Sequence, residues 1–406
     1  MGSAVVDERI FDLELRELSS AHSEQTYLLV HADQQFEINE RLYRLLRYLQ
    51  AGRSLVEAVQ QLNAEHPTAP NNPQQVASYL ATVFGRLSND QQPRRGHFMA
   101  SRTLLSATHL LPVLQYVQAL FRSPVLVILF GLSLALQGAY FLTLNDADAL
   151  SLSGDGLLLG YVLSLVSILW HELGHAAACR YYGVSTGPIG MALYLYFPVF
   201  YTDVSDSWRL SRAKRCIVDL AGIYFQFIFL LPFYYYYFVY GSPLAKYTII
   251  MVNASMLINL NPFLKFDGYW LLSDALGIPN LRKRTGEAVA YFMDRIKRRP
   301  GPKLPYLLQL RPLEKSLAVV YVVFVNVFFV YFFLFRLPQL AYGMALRYPN
   351  TVQHLYTSIT HWGENPDQSA LLALQSFLFT SLILFMSWYV LYSLLKNGVK
   401  NFSQYI

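Results

Sequence analysis

His171, Glu172 and His175 stand together in one apolar stretch, GLLLGYVLSLVSILWHELGHAAACR. The two histidines are four residues apart, so a helix would project both imidazoles from one face, where they could hold a single Zn²⁺. Glu172 could take a proton from a water activated by that metal. Charged groups inside an apolar helix are costly and mark functional sites. The H-E-x-x-H spacing therefore predicts a zinc hydrolase. The alternative is a buried histidine pair without metal.

A catalytic zinc needs a third protein ligand, and two aspartates qualify. Asp219 lies near the start of a later apolar run, and Asp267 lies at the end of the run after that. We favour Asp267, because Pro262 interrupts the helix before it and Gly268 allows a close backbone approach. Irregular backbone at membrane depth is tolerated only against protein or a water-filled cavity. A hydrolase needs such a cavity.

Two polar side chains shortly before Asp267 are candidates for substrate binding or for hydrogen bonding to an oxyanion: Asn259 and Asn261. For the two asparagines, a helix-capping role is an equal alternative. Asp203 and Asp206 follow a Pro- and Gly-interrupted stretch. We expect these two aspartates to be loop or turn residues rather than metal ligands.

The composition places these residues in a membrane protein. Of 406 residues, 54% are hydrophobic and only 14% are charged, against about a quarter charged in an ordinary soluble domain. A bilayer span takes about 20 apolar residues. Six runs qualify as spans: Val125–Leu144, Leu157–Cys179, Cys216–Tyr240, Ala245–Leu264, Leu317–Phe335 and Ala370–Leu395. The prediction is a multi-pass α-helical membrane protein.

Lysine and arginine are concentrated in the loops that follow the second and fourth runs. The positive-inside rule then predicts that both termini are cytoplasmic. Because membrane orientation explains the net charge of +6, we expect no nucleic-acid partner. Leu104–Phe121 is amphipathic and interrupted by Pro112, so we predict that it lies at the membrane interface.

Residues 1–93 have the mixed polarity of a small soluble domain. Thr26–Asn39 predicts a β-hairpin that turns at Ala32-Asp33. Asn39, Ser54 with Glu57, and Asn72-Pro73 predict the starts of three helices. The inward-facing side chains of the first and third helices would be Leu42, Leu45, Leu46 and Leu49, and Val76, Leu80, Val83 and Leu87. These elements predict an α+β domain of winged-helix-like form.

The segment FEINERLYRLLRYLQAGRSLVEAV resembles the peptide-binding chaperone domain of pyrroloquinoline quinone biosynthesis. The resemblance implies that residues 1–93 bind the leader of a ribosomally made peptide, by adding it as a strand to a sheet edge. The alternative is a small cytosolic domain that packs on a protein partner.

HELGH in one apolar run, followed by Asn261-Pro262 and Asp267-Gly268 in a later one, resembles the site-2 protease family of intramembrane zinc metallopeptidases. The resemblance implies a three-helix core formed by the second to fourth runs. It also implies that His171, His175 and Asp267 are zinc ligands and that Glu172 is the general base. Some relatives carry an Asn shortly after an Ala-Gly pair in the counterpart of the third run, and AGIYFQ offers Gln226 a little later, as a further candidate for substrate binding or an oxyanion. The phrase FPVFYTDVSDSWRL and the basic loop resemble a bacterial subgroup, the peptide zinc metallopeptidases associated with peptide maturation.

Gly187–Tyr201 corresponds in that family to a hairpin that dips into the membrane beside the active site, where an unwound substrate strand could pair with it. The alternative is a simple interfacial loop. The predicted organisation is a peptide-binding domain (1–93), an interfacial linker helix (94–123), the metallopeptidase core (124–275), a basic loop (276–315) and two further spans with the C-terminal tail (316–406).

The expected function is that of an intramembrane zinc endopeptidase that cleaves a membrane-associated peptide or protein during maturation of a ribosomally made peptide. Three alternatives stay open. One is regulated intramembrane proteolysis of a signalling protein. Another is a non-catalytic zinc-containing subunit of a peptide export or modification complex. The third is a metal transporter, which we would expect to carry further polar clusters along its spans.

Overall fold

A computed structural model describes residues 10, 13–18, 26–31, 34–65, 70–89, 101–143, 154–194, 197–298, 304–360 and 369–402. The N-terminal part contains three strands and three helices: β1 (Glu14–Leu18), β2 (Thr26–His31), β3 (Gln34–Asn39), α1 (Glu40–Gln50), α2 (Leu55–Glu65) and α3 (Pro73–Asn89). The strands form one antiparallel sheet in the order β1-β2-β3. The predicted hairpin is therefore present as β2 and β3, and its turn lies outside the described residues.

Side-chain caps begin the first two helices where the sequence predicts them. Asn39 Oδ1 accepts a hydrogen bond from Leu42 N at 2.9 Å. Ser54 and Glu57 bond reciprocally, with Glu57 Oε2 accepting from Ser54 N at 2.9 Å. The core of this part includes Leu45, Leu46 and Leu49, with Leu42 and Val76 packed against it. Val83 and Leu87 lie outside the residues whose side chains are described. The winged-helix assignment stays a prediction.

The rest of the chain contains ten further α-helices and three further strands among the described residues. They are β4 (Ser101–Leu105), α4 (Ala107–Val117), α5 (Ser123–Thr143), α6 (Gly154–Tyr181), β5 (Ile189–Tyr194), β6 (Phe197–Thr202), α7 (Arg212–Tyr240), α8 (Pro243–Asn259), α9 (Asp267–Leu276), α10 (Leu281–Ile296), α11 (Pro312–Tyr331), α12 (Leu337–Thr360) and α13 (Ser369–Phe402). The second sheet has the order β4-β5-β6 and is antiparallel.

Four helical stretches in the described residues are long and apolar enough to cross a membrane: Ser123–Thr143, Gly156–Tyr181, Arg212–Tyr240 and Pro312–Thr360. The chain is thus a helical membrane protein, with fewer such helices than the six predicted runs. The fourth run, Ala245–Leu264, becomes α8, which ends at Asn259 after 17 residues. At ~1.5 Å per residue it is ~26 Å long, shorter than a ~30 Å hydrocarbon layer.

The last two predicted spans also differ from the structure. Pro312–Thr360 is one apolar helical stretch of 49 residues, because a π-helical segment, Phe332–Arg336, joins α11 to α12. The loop expected after the fifth run is therefore helical. The sixth run lies within α13, where the apolar stretch is the shorter Ala373–Tyr389.

The segment predicted as an interfacial linker is packed into the core. β4 pairs with β5, and α4 buries Leu110 and Leu114 against Ala176–Cys179 of α6. Phe121, in a 3-10 turn that follows α4, joins the same cluster. α4 also leaves Leu111 and Tyr116 exposed, so its place at the membrane interface stays a prediction. The predicted basic loop is also partly structured, since it contains α10, which packs near α9 and α11.

The β5-β6 hairpin confirms the shape predicted for Gly187–Tyr201. The central contact of the membrane part is between α6 and α7. Gly174 permits it, because a Cβ at that position would lie 2.5 Å from the carbonyl oxygen of Ala221. The two helices that carry candidate chemistry are therefore held in close backbone contact.

Candidate metal centre

Three of the predicted ligands converge on one buried point. His171 Nε2 lies 3.1 Å from His175 Nε2. Asp267 Oδ2 lies 2.8 Å from His171 Nε2 and 3.5 Å from His175 Nε2. The histidines are only 2% and 6% exposed. Among the described residues, this is the group of histidine, cysteine and acidic side chains whose ligand atoms could hold a metal ion.

The hydrogen bonds behind the imidazoles determine where their lone pairs lie. His175 Nδ1 donates to the carbonyl oxygen of Val218 at 2.7 Å, since a carbonyl can only accept. His171 Nδ1 donates to Gln226 Oε1 at 3.0 Å. With both Nδ1 atoms protonated, a neutral imidazole carries its lone pair on Nε2. Partners of this kind orient metal-binding histidines in proteins.

This donor set fits zinc. Two Nε2 lone pairs and Asp267 Oδ2, a buried oxygen with no hydrogen-bond partner, face one another. Three acceptor atoms in contact would repel unless a cation stood between them. Ligands ~2.0–2.1 Å from a tetrahedral zinc are about 3.3 Å apart, and the three observed separations run from 2.8 to 3.5 Å. Two histidines, one carboxylate and an open position make a catalytic type of site.

Asp267 reaches the histidines because α8 ends early. A turn follows α8, in which Asn261 Oδ1 accepts a hydrogen bond from Phe263 N at 2.8 Å. α9 then begins at Asp267. Gly268 is needed there, because a Cβ would overlap the carbonyl oxygen of Leu260. The sequence predicts both the interruption at Pro262 and the close approach at Gly268, and it places Asp267 at the end of the fourth run.

Two arginines of α7 hold the far end of α9. Arg215 Nε and Asp274 Oδ1 form a buried ion pair at 2.7 Å. Arg212 donates to the carbonyl oxygens of Asp274 and Ala275. Asp219 also lies on α7, and it is not part of the convergent group. Of the two candidates for the third ligand, the structure brings Asp267 to the histidines.

Exchanging the two aspartates for asparagine should separate their roles. We expect Asp267→Asn to lower zinc affinity by about 100-fold or more, because the neutral amide is a far weaker ligand than a carboxylate. Asp219→Asn should retain stoichiometric zinc, since Asp219 is not among the converging ligands. Zinc per protein, measured by atomic emission after dialysis against a graded chelator, checks both. Loss of zinc in Asp219→Asn with retention in Asp267→Asn would reverse the assignment.

Glu172 is held by a strand that sequence reasoning did not connect with it. Thr202, at the end of β6, places Oγ1 2.8 Å from Glu172 Oε2 and 2.9 Å from the Glu172 carbonyl oxygen. Glu172 itself is 7% exposed. Two sequence signals pointed to this strand: the family-like hairpin of Gly187–Tyr201, which stops one residue short of Thr202, and the phrase FPVFYTDVSDSWRL, which contains it.

Gly222 makes room for the histidine pair. It lies on α7, opposite His171, and a Cβ built on it would overlap His171 Nε2 and both ring carbons bonded to that nitrogen. The imidazole cannot easily retreat, because Gln226 fixes it from behind. Gly222 is thus a site residue with no chemistry of its own, and the Ala-Gly pair in the third run was its only signal.

The remaining predicted residues separate into different roles. Gln226 is fully buried, and its Nε2 donates to Ser167 Oγ at 3.1 Å while its Oε1 accepts from His171. These contacts favour orientation of His171 over an oxyanion role, which stays a prediction. Asn261 caps neither helix: its side chain closes the turn between α8 and α9, whose caps are Leu260 and Phe266. Asn259 is the last residue of α8 and is half-buried.

Asp203 and Asp206 are turn residues, as predicted. Asp203 Oδ1 accepts from the backbone and hydroxyl of Ser205 at 3.1 and 2.6 Å. Asp206 pairs with Arg209 at 3.4 Å. Neither belongs to the convergent ligand group.

Gln226→Leu should weaken zinc binding by about 10–100-fold, the usual effect of losing a partner behind a metal ligand. The apolar side chain leaves His171 Nδ1 without an acceptor, so the ring is free to turn. Gln339→Leu, on an exposed position of α12, is the matched control and should bind zinc like the parent. The measurement is competition with a fluorescent zinc chelator. Equal affinity in both variants would contradict an orienting role.

One known protein connects this geometry to an activity. A Bacillus subtilis protein named "Putative peptide zinc metalloprotease protein YydH" is 29% identical to the chain over 110 residues. The similarity covers 27% of this chain and 44% of the relative, so the chain spans less than half the length of the curated relative it matches. No family model and no solved structure matches the chain. The relative's name links the chain to zinc metalloproteases.

Proposed function

We propose that the chain is an intramembrane zinc endopeptidase that hydrolyses a peptide bond of a membrane-associated peptide. The observation that carries this proposal is the convergence of His171, His175 and Asp267 beside Glu172, in a buried site on a helix long enough to span a membrane. The name of the Bacillus subtilis relative supports the same chemistry.

Metal binding and proton transfer would be carried out by different residues of the chain. His171, His175 and Asp267 would hold the zinc, which when bound lowers the pKa of water and polarises the scissile carbonyl. Glu172 accepts the proton of the attacking water and returns it to the leaving amine. A carboxylate retained next to the first ligand favours catalysis over a purely structural zinc, because a structural site has no use for a base.

The free edge of β6 is where an unwound substrate would lie. Asp203 directs both its N–H and its C=O toward β5, bonding Pro188 O at 3.3 Å and Gly187 N at 2.8 Å. Backbone groups alternate sides along a strand, so Thr202 and Phe200 direct theirs away from β5. β6 is the last strand of the described sheet. A substrate strand pairing there would have its carbonyls presented beside Glu172.

We propose that the substrate is a ribosomally made peptide that is cleaved during its maturation. The N-terminal sheet contacts the membrane part near β6, since Glu14 of β1 and Arg209 of the turn after β6 form an ion pair at 3.4 Å. A leader peptide added to that sheet would be held near the proposed substrate edge. We propose that both termini are cytoplasmic, from the distribution of Lys and Arg in the loops, and that the membrane is a bacterial inner membrane, since the relative is a bacterial protein.

The test uses purified protein in detergent and a pool of synthetic apolar peptides about 20 residues long, the length of a membrane span. We expect one zinc per chain and cleavage of part of the pool, read by mass spectrometry and abolished by a zinc chelator. Zinc binding without any cleavage would favour the non-catalytic subunit. Zinc movement across vesicle membranes would favour a transporter. Adding the precursor peptides and signalling proteins encoded beside the gene distinguishes maturation from regulated proteolysis.

A further inference from the structure

Thr202 is the point at which the strand β6 contacts the predicted general base. Its hydroxyl has one proton to donate and two possible acceptors, both on Glu172. These are Glu172 Oε2 at 2.8 Å and the Glu172 carbonyl oxygen at 2.9 Å. A hydrogen bond to an ionised acceptor is about twice as strong as one to a neutral acceptor. The carbonyl oxygen is also within α6, where helix bonding already supplies a donor. The Thr202 hydroxyl therefore donates its hydrogen bond mainly to Glu172 Oε2.

That bond restrains a side chain that would otherwise rotate. Glutamate has a broad, two-fold terminal torsion, so an unheld carboxylate would sample several orientations beside the metal ligands. The Thr202 contact uses Oε2 and leaves Oε1 for proton transfer. The same residue directs its backbone N–H and C=O to the free edge of β6, where the substrate would pair.

We propose that Thr202 is a positioning residue that orients the Glu172 carboxylate and couples it to the substrate-binding edge of β6. The inference rests on the proposed function for its catalytic meaning, but the contact itself is independent of activity. The hydroxyl has no evident part in folding β6. The strand is held by the backbone pairing of Ile189–Tyr194 with Phe197–Thr202, and threonine and valine suit a strand equally well.

The first experiment compares three variants on a peptide of the pool that the parent cleaves. Thr202→Val keeps the shape and removes the hydroxyl, so we expect kcat to fall about 10–100-fold with zinc content unchanged and KM within about threefold, as for lost partners of catalytic groups. Thr202→Ser restores the hydroxyl and should recover most of kcat. Thr357→Val is the control, because its hydroxyl bonds only carbonyls of its own helix.

Three results would overturn the proposal. Parent-like kcat in Thr202→Val would show that the hydroxyl is not needed. Equal losses in the Val and Ser variants would show that only the side-chain shape matters. A rise in KM with kcat unchanged would assign Thr202 to substrate binding alone.

The second experiment reads the contact without catalysis. Thermal unfolding in detergent is measured for the metal-free parent, Thr202→Val, Glu172→Leu and the double variant, as a double-mutant cycle. We expect Thr202→Val to lower Tm by several degrees in the parent and to change it little when Glu172 is already absent. Additive shifts would exclude the contact. If this coupling is found but the parent cleaves no peptide, the proposed function fails while the Thr202–Glu172 contact stands.

Discussion

Replacing Glu172 with glutamine should abolish peptide cleavage while leaving zinc binding intact. The amide keeps the size of the carboxylate but cannot accept the proton of the attacking water, so we expect kcat to fall about 10²–10⁴-fold, the usual contribution of a general base. His171 and His175 keep their partners in this variant, since neither Gln226 nor Val218 contacts the changed atoms. The variant should therefore lose peptide cleavage but keep the zinc content of the parent.

Glu287→Gln is the control for this experiment. It removes a carboxylate from α10, where Glu287 pairs only with the neighbouring Arg284 among the contacts shown. We expect full activity. Full cleavage by Glu172→Gln would remove the general-base assignment, whereas loss of both zinc and cleavage would indicate that the carboxylate is part of the metal site.

Gly222→Ala should destroy the metal centre although it adds a single methyl group. The new Cβ would overlap His171 Nε2, the atom that would bind zinc. Either the imidazole must leave its place against Gln226, or α7 must move away from α6. Overpacking of this kind costs about 1–3 kcal/mol. We expect a fall in zinc affinity of about 100-fold or more, with cleavage lost in parallel.

Gly138→Ala is the matched control. Gly138 lies in α5, and a Cβ there would meet nothing within 4 Å. Alanine is the better helix former, so this variant should keep its zinc and unfold at an equal or slightly higher temperature. Calorimetric zinc titration of both variants is the measurement. Normal zinc affinity in Gly222→Ala would show that α6 and α7 separate readily, and that the close contact is not needed.

The grouping of three candidate site residues could be predicted because they lie close together in the sequence. His171, Glu172 and His175 lie within one turn of α6, so their common location follows from helix geometry alone. Asp267 required more, and the sequence left Asp219 as a rival. Depth along the membrane does not distinguish them, whereas the turn after α8 and the ion pair of Arg215 with Asp274 do.

The number and extent of the spanning helices were predicted less well. Hydropathy marks where apolar residues are, but not where the helix ends. α8 ends at Asn259, and the turn after it brings the chain back toward the histidines. The 312–360 helix continues through residues that were expected to form a loop. Likewise, the amphipathic pattern of α4 marks its apolar side chains but not their neighbours, and only the structure shows that Leu110 and Leu114 pack against α6.

By itself, the sequence determined the class of molecule and its chemistry: a helical membrane protein with an apolar helix that carries H-E-x-x-H, and capped helices in a small N-terminal domain. Only the tertiary structure decided which aspartate joins the histidines, that Gly222 must lack a side chain, that Gln226 holds His171, and that Thr202 holds Glu172. The physical reason is the range of the interactions. Helix periodicity, capping and hydropathy act over a few residues, whereas contacts between α6, α7 and β6 join residues 30 to 55 positions apart.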